Sequence, residues 1–420
     1  MKTVIQNGQV FYQGKIQSLD VEITDKKISA VGKHLEGEHT IDAKGLLVIP
    51  GLVDLHVHLR EPGFEHKGTI KTETLSAKHG GYSHIVAMAN TLPCMDNMET
   101  IADFKQRVAK DSCIHTYTYS AITKGLKGKE LVDFKANHQS DIVMGFSDDG
   151  KGVQSQDMME QAMKEAKKYE SIIVAHCEDE SELQPGACIN LGRVSKENHL
   201  VGINNASEYK QASRDLKLVE KIHNRYHICH ISTKETVQAL KEAKAKGLPV
   251  SGEACPHHLI LTEDNIKNLN PNYKMNPPLR SKEDLNALIE GIKDGTVSCI
   301  STDHAPHAFE EKNKPIDQAP FGIIGNQHAF SLMYTYLIKK GLLDLETVIK
   351  AMTIQPAKVI GLDHDLAVGK DANIAIFDLN AKYMITEESL YSKAKNTPFL
   401  NTECYGLLKY SIIDGKIEEM

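Results

Sequence analysis

Eight short apolar runs recur through the middle of the chain, at residues 52–58, 84–89, 114–121, 141–146, 172–176, 226–231, 248–254 and 297–301. The stretches between them carry helical periodicity, clearest at 156–168 and 235–246. Strands that alternate with helices predict a parallel sheet, because each helical crossover carries the chain back to the end from which the last strand started. Eight such units predict closure into an α/β fold, the TIM (β/α)8 barrel. A doubly wound open sheet is the alternative that the same alternation allows, but no GxGxxG follows the first run.

The two ends of the chain have a different texture. Residues 3–10, 18–24 and 27–31 read as short strands with a hairpin turn at 25–27. Residues 372–377 and 410–413, with a turn at Asp414 and Gly415, read the same way. Two β-rich ends around a βα middle predict a small flanking β-sandwich built from both termini. The expected division is 1–50 and 361–420 for the sandwich and 51–360 for the barrel. A length of 420 residues accommodates it, since a barrel of this kind takes about 250 residues before insertions.

Composition narrows the class of function. Hydrophobic residues make up 41% and charged residues 25%, the balance of a soluble globular protein. A net charge of −7 argues against a nucleic-acid surface. The N-terminus meets Gln6, Asn7 and Gly8 before an apolar signal segment can form. The most apolar window, 45–59, contains Asp54, His56 and His58 and is too short to span a membrane. A cytoplasmic protein without membrane or nucleic-acid partners is expected. The eight cysteines form no CxxC pair and are expected as buried thiols.

In a barrel of this type, chemistry collects at the C-terminal ends of the strands. The first run ends with His56 and His58, which period-2 alternation places on one side of the strand. The fourth ends in Asp148 and Asp149, the fifth in His176, the sixth in His230 and the eighth in Asp303. Taken singly, each has an ordinary explanation. A histidine after a strand is more often a core or capping residue, and Asp-Asp-Gly is usually a turn. Coincidence at five strand ends outweighs those explanations. Imidazoles and carboxylates together suit zinc and similar divalent ions. Six ligands exceed one open tetrahedral ion, and suit two ions that share a bridging group. The carboxylate after the fourth strand is a candidate bridge.

Several segments carry a resemblance to a known family: GLVDLHVHLREPG (51–63), AMANT (87–91), FSDDG (146–150), VAHCE (174–178), HICHIST (227–233), EACPHH (253–258), KMNPPLR (274–280), STDHAPH (301–307) and APFGI (319–323). Together they resemble the amidohydrolase superfamily, and within it the dihydroorotases of the longer bacterial type. The HxH pair is shared across the superfamily, whereas HLREPG, KMNPPLR and APH are specific. The resemblance implies reversible cyclisation of N-carbamoyl-L-aspartate to L-dihydroorotate with loss of water, in de novo pyrimidine (UMP) biosynthesis.

What the resemblance implies can be assigned residue by residue. His56 and His58 would hold one zinc (Zn2+) ion and His176 and His230 a second. Asp149 would bridge them, with Asp148 as the fallback. Asp303 would bind the first metal and act as general base and acid. Arg60, Asn90 and His307 would hold the substrate carboxylate beside His58. Asn276 and the backbone at Phe321 and Gly322 would contact the ring. The bland alternatives are a surface ion pair for Arg60, a strand-end cap for Asn90 and a packing role for Phe321. The resemblance also implies a homodimer and leaves room for a complex with aspartate transcarbamoylase.

The chain departs from the family pattern at three places. Ala89 stands where the family has a proline, Asn326-Gln327-His328 replaces a usual Leu-Glu-Thr, and Lys151 follows the Asp-Asp-Gly turn. Many relatives bridge their metals through a carboxylated lysine, so Lys151 is a further candidate, though a worse one than Asp149 because it lies beyond the glycine. The rivals are an allantoinase or a dihydropyrimidinase, and a non-catalytic scaffold for aspartate transcarbamoylase. Two long connections stand out, 177–225 and 304–325. The second is polar and is expected to close over substrate. Cys177 and Cys229 flank ligand histidines and are expected to point into packing, away from the metals.

Overall fold

Residues 2–420 are described by a computed structural model. The N-terminal strands are β1 (Lys2–Tyr12), β2 (Lys15–Thr24), β3 (Lys27–Gly32), β4 (His39–Asp42) and β5 (Leu47–Pro50). The βα middle follows with β6 (Leu52–Val57), β7 (Tyr82–Ala87), β8 (His115–Ser120), β9 (Val143–Phe146) and β10 (Ile172–Ala175). A short parallel pair, β11 (Ile189–Asn190) and β12 (Gly202–Ile203), interrupts it before β13 (Arg225–Ile228), β14 (Val250–Ala254) and β15 (Cys299–Ile300). The chain ends with β16 (Ile374–Met384), β17 (Glu403–Ile413) and β18 (Lys416–Glu419).

Among the described residues, eight of these strands form one sheet in the order β6-β7-β8-β9-β10-β13-β14-β15. Each neighbouring pair is parallel. All six residues of β6 are buried, as expected for a strand covered on both faces. The sheet closes where Val57 bridges His304 in parallel and His58 N donates to His304 O at 2.8 Å. Asp54, wholly buried in β6, supports that seam. It accepts from Thr302 N at 3.0 Å and from Thr302 Oγ1 at 2.6 Å. The expected TIM barrel is therefore present.

The outer helices follow from their sequence. In the helix Gln156–Lys168, the buried residues Met159, Ala162, Met163 and Ala166 recur at three- and four-residue spacing. Ser155 caps it by accepting from Met158 N, and Lys167 and Lys168 sit at its carbonyl end. Lys234–Ala245 is built the same way, with Thr233 as cap and Val237, Leu240 and Ala243 buried. Each buried Val, Leu or Met side chain contributes roughly 1.5–3 kcal/mol. The connection 177–225 is not bare loop. It holds β11, β12 and the helix Ala206–Ile222, which is the crossover between β10 and β13.

Both chain ends meet in a mixed sheet ordered β18-β17-β16-β5-β1-β2-β3, with β4 also on β1. Its core joins Ile5, Val21, Ile28 and Val48 from the N-terminal part to Ile374, Ile376 and Ile412 from the C-terminal part. The sheet curls around this cluster until β3 reaches the segment before β16, where Ile28 N donates to Lys370 O at 2.9 Å. At the β17–β18 turn, Gly415 has φ 74°, and a Cβ there would lie 2.0 Å from Asp25 O. Only glycine allows that close approach. Among the described residues no helix is long and apolar enough to cross a membrane, and all eight cysteines are free thiols.

Candidate metal centre and substrate cleft

Strand ends bring the candidate ligand residues to one buried point. His56 lies in β6 and His58 just after it, while Asp149, His176, His230 and Asp303 follow β9, β10, β13 and β15. All six are buried. His56 Nε2 stands 3.4 Å from both Asp149 Oδ1 and Asp303 Oδ1. His58 Nε2 is 3.0 Å from Asp303 Oδ1 and 3.5 Å from Asp149 Oδ2. His176 Nδ1 and His230 Nε2 are 2.9 Å apart, and each is 3.6 Å from Asp149 Oδ1. Asp149 thus stands between two donor groups. Donors about 2.0–2.1 Å from a tetrahedral zinc ion lie about 3.3–3.4 Å from one another, so these separations suit metal ligation.

The outward ring nitrogens identify which atoms face inward. His56 Nδ1 lies 2.9 Å from Glu253 Oε1, and His58 Nδ1 lies 3.0 Å from Asn90 Oδ1. Both partners accept, so each Nδ1 carries the proton. In the neutral rings, each Nε2 then presents a lone pair to a carboxylate. His176 Nε2 faces Glu178 Oε2 at 3.5 Å, which turns the Nδ1 lone pair towards His230. Acceptors that face each other at 3 Å repel unless a cation sits between them. His56 Nε2 and Asp149 Oδ1 are also buried without a hydrogen-bond partner. The donor set therefore fits divalent metal.

The electrostatics agree. Burial would raise the Asp303 carboxyl, but His56 and His58 outweigh it and hold it low. Asp149 is likewise held well below the usual carboxylate range, despite its burial, by His56, His176 and His230. Burial would lower His176, yet Asp149 and Glu178 lift it to about 10. Burial opposes and Asp149 and Asp303 dominate at His56, which is raised well above its ordinary value.

The structure separates the two aspartates of the turn. Asp148 Oδ1 accepts from Ile122 N at 2.7 Å and Thr123 N at 3.0 Å, and Oδ2 accepts from Thr123 Oγ1. Its carboxylate is used in holding the β8 loop. Lys151 is exposed beyond the turn. Arg60, His230 and Asp303 have φ of 66°, 30° and 49°, conformations that cost about 1–3 kcal/mol each and cluster at functional sites.

A cleft of about 190 Å³ opens on this centre, lined by Arg60, Asn90, Asn276, His307, Phe321 and Gly322 besides the candidate ligands. Arg60 Nε donates to Pro306 O at 3.0 Å. No carboxylate lies within ion-pair distance of Arg60 among the described residues. Burial lowers it to about 10, so it stays cationic at neutral pH. His307 Nε2 lies 2.7 Å from Phe321 O and 3.3 Å from Arg60 Nη2. A proton on Nε2 satisfies the carbonyl and rules out acceptance from Arg60. Burial and then Arg60 push His307 down to about 2, so it is neutral. Gly322 is committed. Its N donates to Lys274 O at 3.1 Å, and its O accepts from Lys312 Nζ at 2.7 Å and Asn396 Nδ2 at 3.1 Å. A substrate contact through Gly322 N would require it to exchange its partner.

Sequence reasoning missed three carboxylates. Glu253 is fully buried between His56 Nδ1 and His227 Nε2, the latter at 3.1 Å. Glu73 Oε2 holds His304 Nε2 at 2.7 Å, directly behind Asp303. Glu178 touches both His176 and Asn276. A signal existed for Glu253, because a charged residue inside an apolar strand run demands a partner. Cys177 lies in packing beside Tyr226, as expected. Cys229 does not point away from the centre, and its sulfur lies within 4.8 Å of ligand atoms of His56 and Glu253. Strand β13 ends at Ile228 and His230 is left-handed, so alternation no longer governs residue 229.

Comparison with known proteins agrees with this geometry. A family profile described as Dihydro-orotase-like matches residues 45–236. The dihydroorotase of Staphylococcus epidermidis is 43% identical over 420 residues, spanning 99% of this chain and 98% of the relative. A dihydroorotase of Bacillus cereus is 44% identical over 421 residues with the same coverage. Among solved structures, an L-hydantoinase (dihydropyrimidinase) from Arthrobacter aurescens superposes with a TM-score of 0.90 at 24% identity, covering 100% of this chain and 97% of that one. A dihydropyrimidinase from Brevibacillus agri gives 0.87 at 21% identity over 99% of this chain and 95% of that one. At such identity these two structures speak to the fold alone.

Proposed function

Because the chain belongs to the dihydroorotase family, we propose that it interconverts N-carbamoyl-L-aspartate and L-dihydroorotate in pyrimidine synthesis. It is a metal-dependent cyclic amidohydrolase. The observation that carries the substrate assignment is Arg60, a cation with no protein carboxylate, in the same cleft as the metal donors. A substrate carboxylate supplies the missing partner. Neutral rings such as dihydrouracil and allantoin do not.

Two zinc ions are the proposed occupants: His56, His58 and Asp303 would hold one, His176 and His230 the other, and Asp149 would serve both. Metal bound there supplies a water that ionises near neutral pH and a Lewis acid for the ring carbonyl. Arg60 and Asn90 Nδ2 orient the carboxylate, and His307 joins them by moving its Nε2–H from Phe321 O to the substrate. In the hydrolytic direction, water adds to the ring carbonyl carbon and the Asp303 carboxylate takes the proton released. It returns that proton to the amide nitrogen as the C–N bond breaks. Ring closure is the same path reversed, with water as the leaving group. His56 and His58 hold the Asp303 carboxyl low against its burial, so it is ionised at neutral pH.

The proposed division remains 1–50 and 361–420 for the flanking unit and 51–360 for the barrel, and the proposed location is the cytoplasm. Dihydroorotate, dihydrouracil and allantoin assayed side by side test the function. Dihydroorotate should be preferred by at least about 100-fold in kcat/KM, the margin expected when a buried charge finds or lacks its partner. Preference for a neutral ring overturns the assignment. Asp303→Ala should lower kcat by about 10²–10⁴-fold or more, and near-normal turnover would remove its role as base.

A further inference from the structure

Glu178 follows the metal-ligand segment, and its side chain is 15% exposed. Its backbone is fixed on both sides, since its N donates to Gln211 Oε1 at 3.0 Å and its O accepts from Gln154 Nε2 at 2.8 Å. Its Oε1 accepts from Asn276 Nδ2 at 2.9 Å. Among the described residues this is the one hydrogen bond of the Asn276 side chain. An ionised carboxylate accepts and does not donate, so the NH2 end of Asn276 must face Glu178. The other end of the carboxamide, Oδ1, is left for the cleft that Asn276 lines.

The cleft is therefore polarised. Arg60 offers charge and Asn90 Nδ2 a donor at one side, and Asn276 offers an acceptor at another. We infer that Glu178 is a positioning residue that turns Asn276 Oδ1 towards the substrate and so selects a ring N–H. This deepens the proposed function and rests on it. Glu178 also faces His176 Nε2 at 3.5 Å, so a role exerted only through metal retention must be separated from this one.

Glu178→Gln does so. A glutamine can donate as well as accept, so it no longer dictates which end of Asn276 enters the cleft. The measurements are calorimetric binding of dihydroorotate and of its two mono-N-methyl analogues, kcat and KM, and metal content by atomic emission. Wild type should bind dihydroorotate roughly 10–100-fold more tightly than the analogue whose critical N–H is lost, the range expected for one buried hydrogen bond. E178Q should retain its metal, raise KM more than it lowers kcat, and lose that discrimination. N276A should show the same loss, and E178Q/N276A should equal N276A alone, because Glu178 acts through Asn276. Unchanged discrimination in E178Q overturns the inference. Loss of metal in E178Q, or additive losses in the double variant, overturns it in favour of a role through His176. Wild type that neither binds nor turns over dihydroorotate refutes the dihydroorotase reading itself, and this inference falls with it.

Discussion

At the scale of single residues, the turn after β9 shows how much one position matters. Asp148 and Asp149 are chemically identical neighbours, yet one holds the β8 loop and the other stands among four histidines. Asp149→Ala should strip the protein of metal and activity together, as read by emission spectroscopy and turnover. Asp148→Ala leaves two buried backbone N–H groups unpaired and should cost about 2–4 kcal/mol of stability while metal stays bound. The reverse pattern would exchange their roles. The histidines at the ends of β6, β10 and β13 were legible as candidate ligands because a histidine at the end of an apolar strand is conspicuous. The choice between the aspartates was not, since it depends on the register of a turn. Glu178 and Glu253 escaped because their partners lie far along the chain, at Asn276 and His56. The raised proton affinities of His56 and His176 add a second consequence. At pH 7 the metal-free site carries protons that zinc must displace, so zinc binding should release protons and weaken as pH falls. Calorimetry in buffers of different ionisation enthalpy reads the number, and zero release would contradict the donor assignment.

At the scale of elements, the barrel strands were readable because strands buried on both faces are continuous apolar runs. Boundaries shifted by a few residues, and β15 shrank to Cys299–Ile300 within the expected 297–301, because the chain leaves the sheet to place Asp303. The helix Ala206–Ile222 inside 177–225 was missed, as two short strands and several turns obscure its start. The connection 304–325 was read as a closing loop, and the structure gives it fixed anchors. His304 binds Glu73, Ala305 N donates to Ile323 O at 2.8 Å, and Asn396 Nδ2 donates to Ala305 O at 3.0 Å. Lys312 is buried, with Nζ donating to the carbonyls of Lys274, Pro320 and Gly322 at 2.9, 2.8 and 2.7 Å. Substrate-linked changes in hydrogen exchange should therefore fall within 309–319, with 304–308 and 320–325 protected throughout. Lys312→Met removes these three hydrogen bonds and should raise exchange at 320–325 and KM by about 3–10-fold, the scale of about 1 kcal/mol for one net hydrogen bond. Normal protection there would show that the lysine is dispensable.

At the scale of the whole molecule, the end sheet meets the barrel at the N-terminal ends of β6, β7 and β8 and along the helices Ile70–His79 and Ala329–Met333. Several histidines crowd that seam. His84 stacks on His115 with ring centroids 4.6 Å apart and meets His364 edge-on at 4.7 Å. His364 Nε2 lies 2.7 Å from Gly51 O, where β5 hands over to β6, and His115 Nε2 lies 2.9 Å from Asp414 Oδ1 in the β17–β18 turn. Burial, and then the neighbouring histidines, push His84 well below its ordinary value. Burial also lowers His364, although its bond to Gly51 opposes this. Groups with depressed folded-state values take up protons first in the unfolded chain. Their contribution is thus intact above the unfolded histidine value of about 6.5 and is lost as pH falls below it, at up to about 1.4 kcal/mol per pH unit for each fully shifted group. The melting temperature should fall between pH 7 and pH 5. Loss of metal lowers it over the same interval, so the informative quantity is the difference in slope between wild type and a variant. His364→Gln keeps a donor for Gly51 O and cannot titrate. It should melt lower at pH 7, through lost packing, yet fall less steeply towards pH 5. Parallel slopes for the two proteins would show that this seam is not where acid acts.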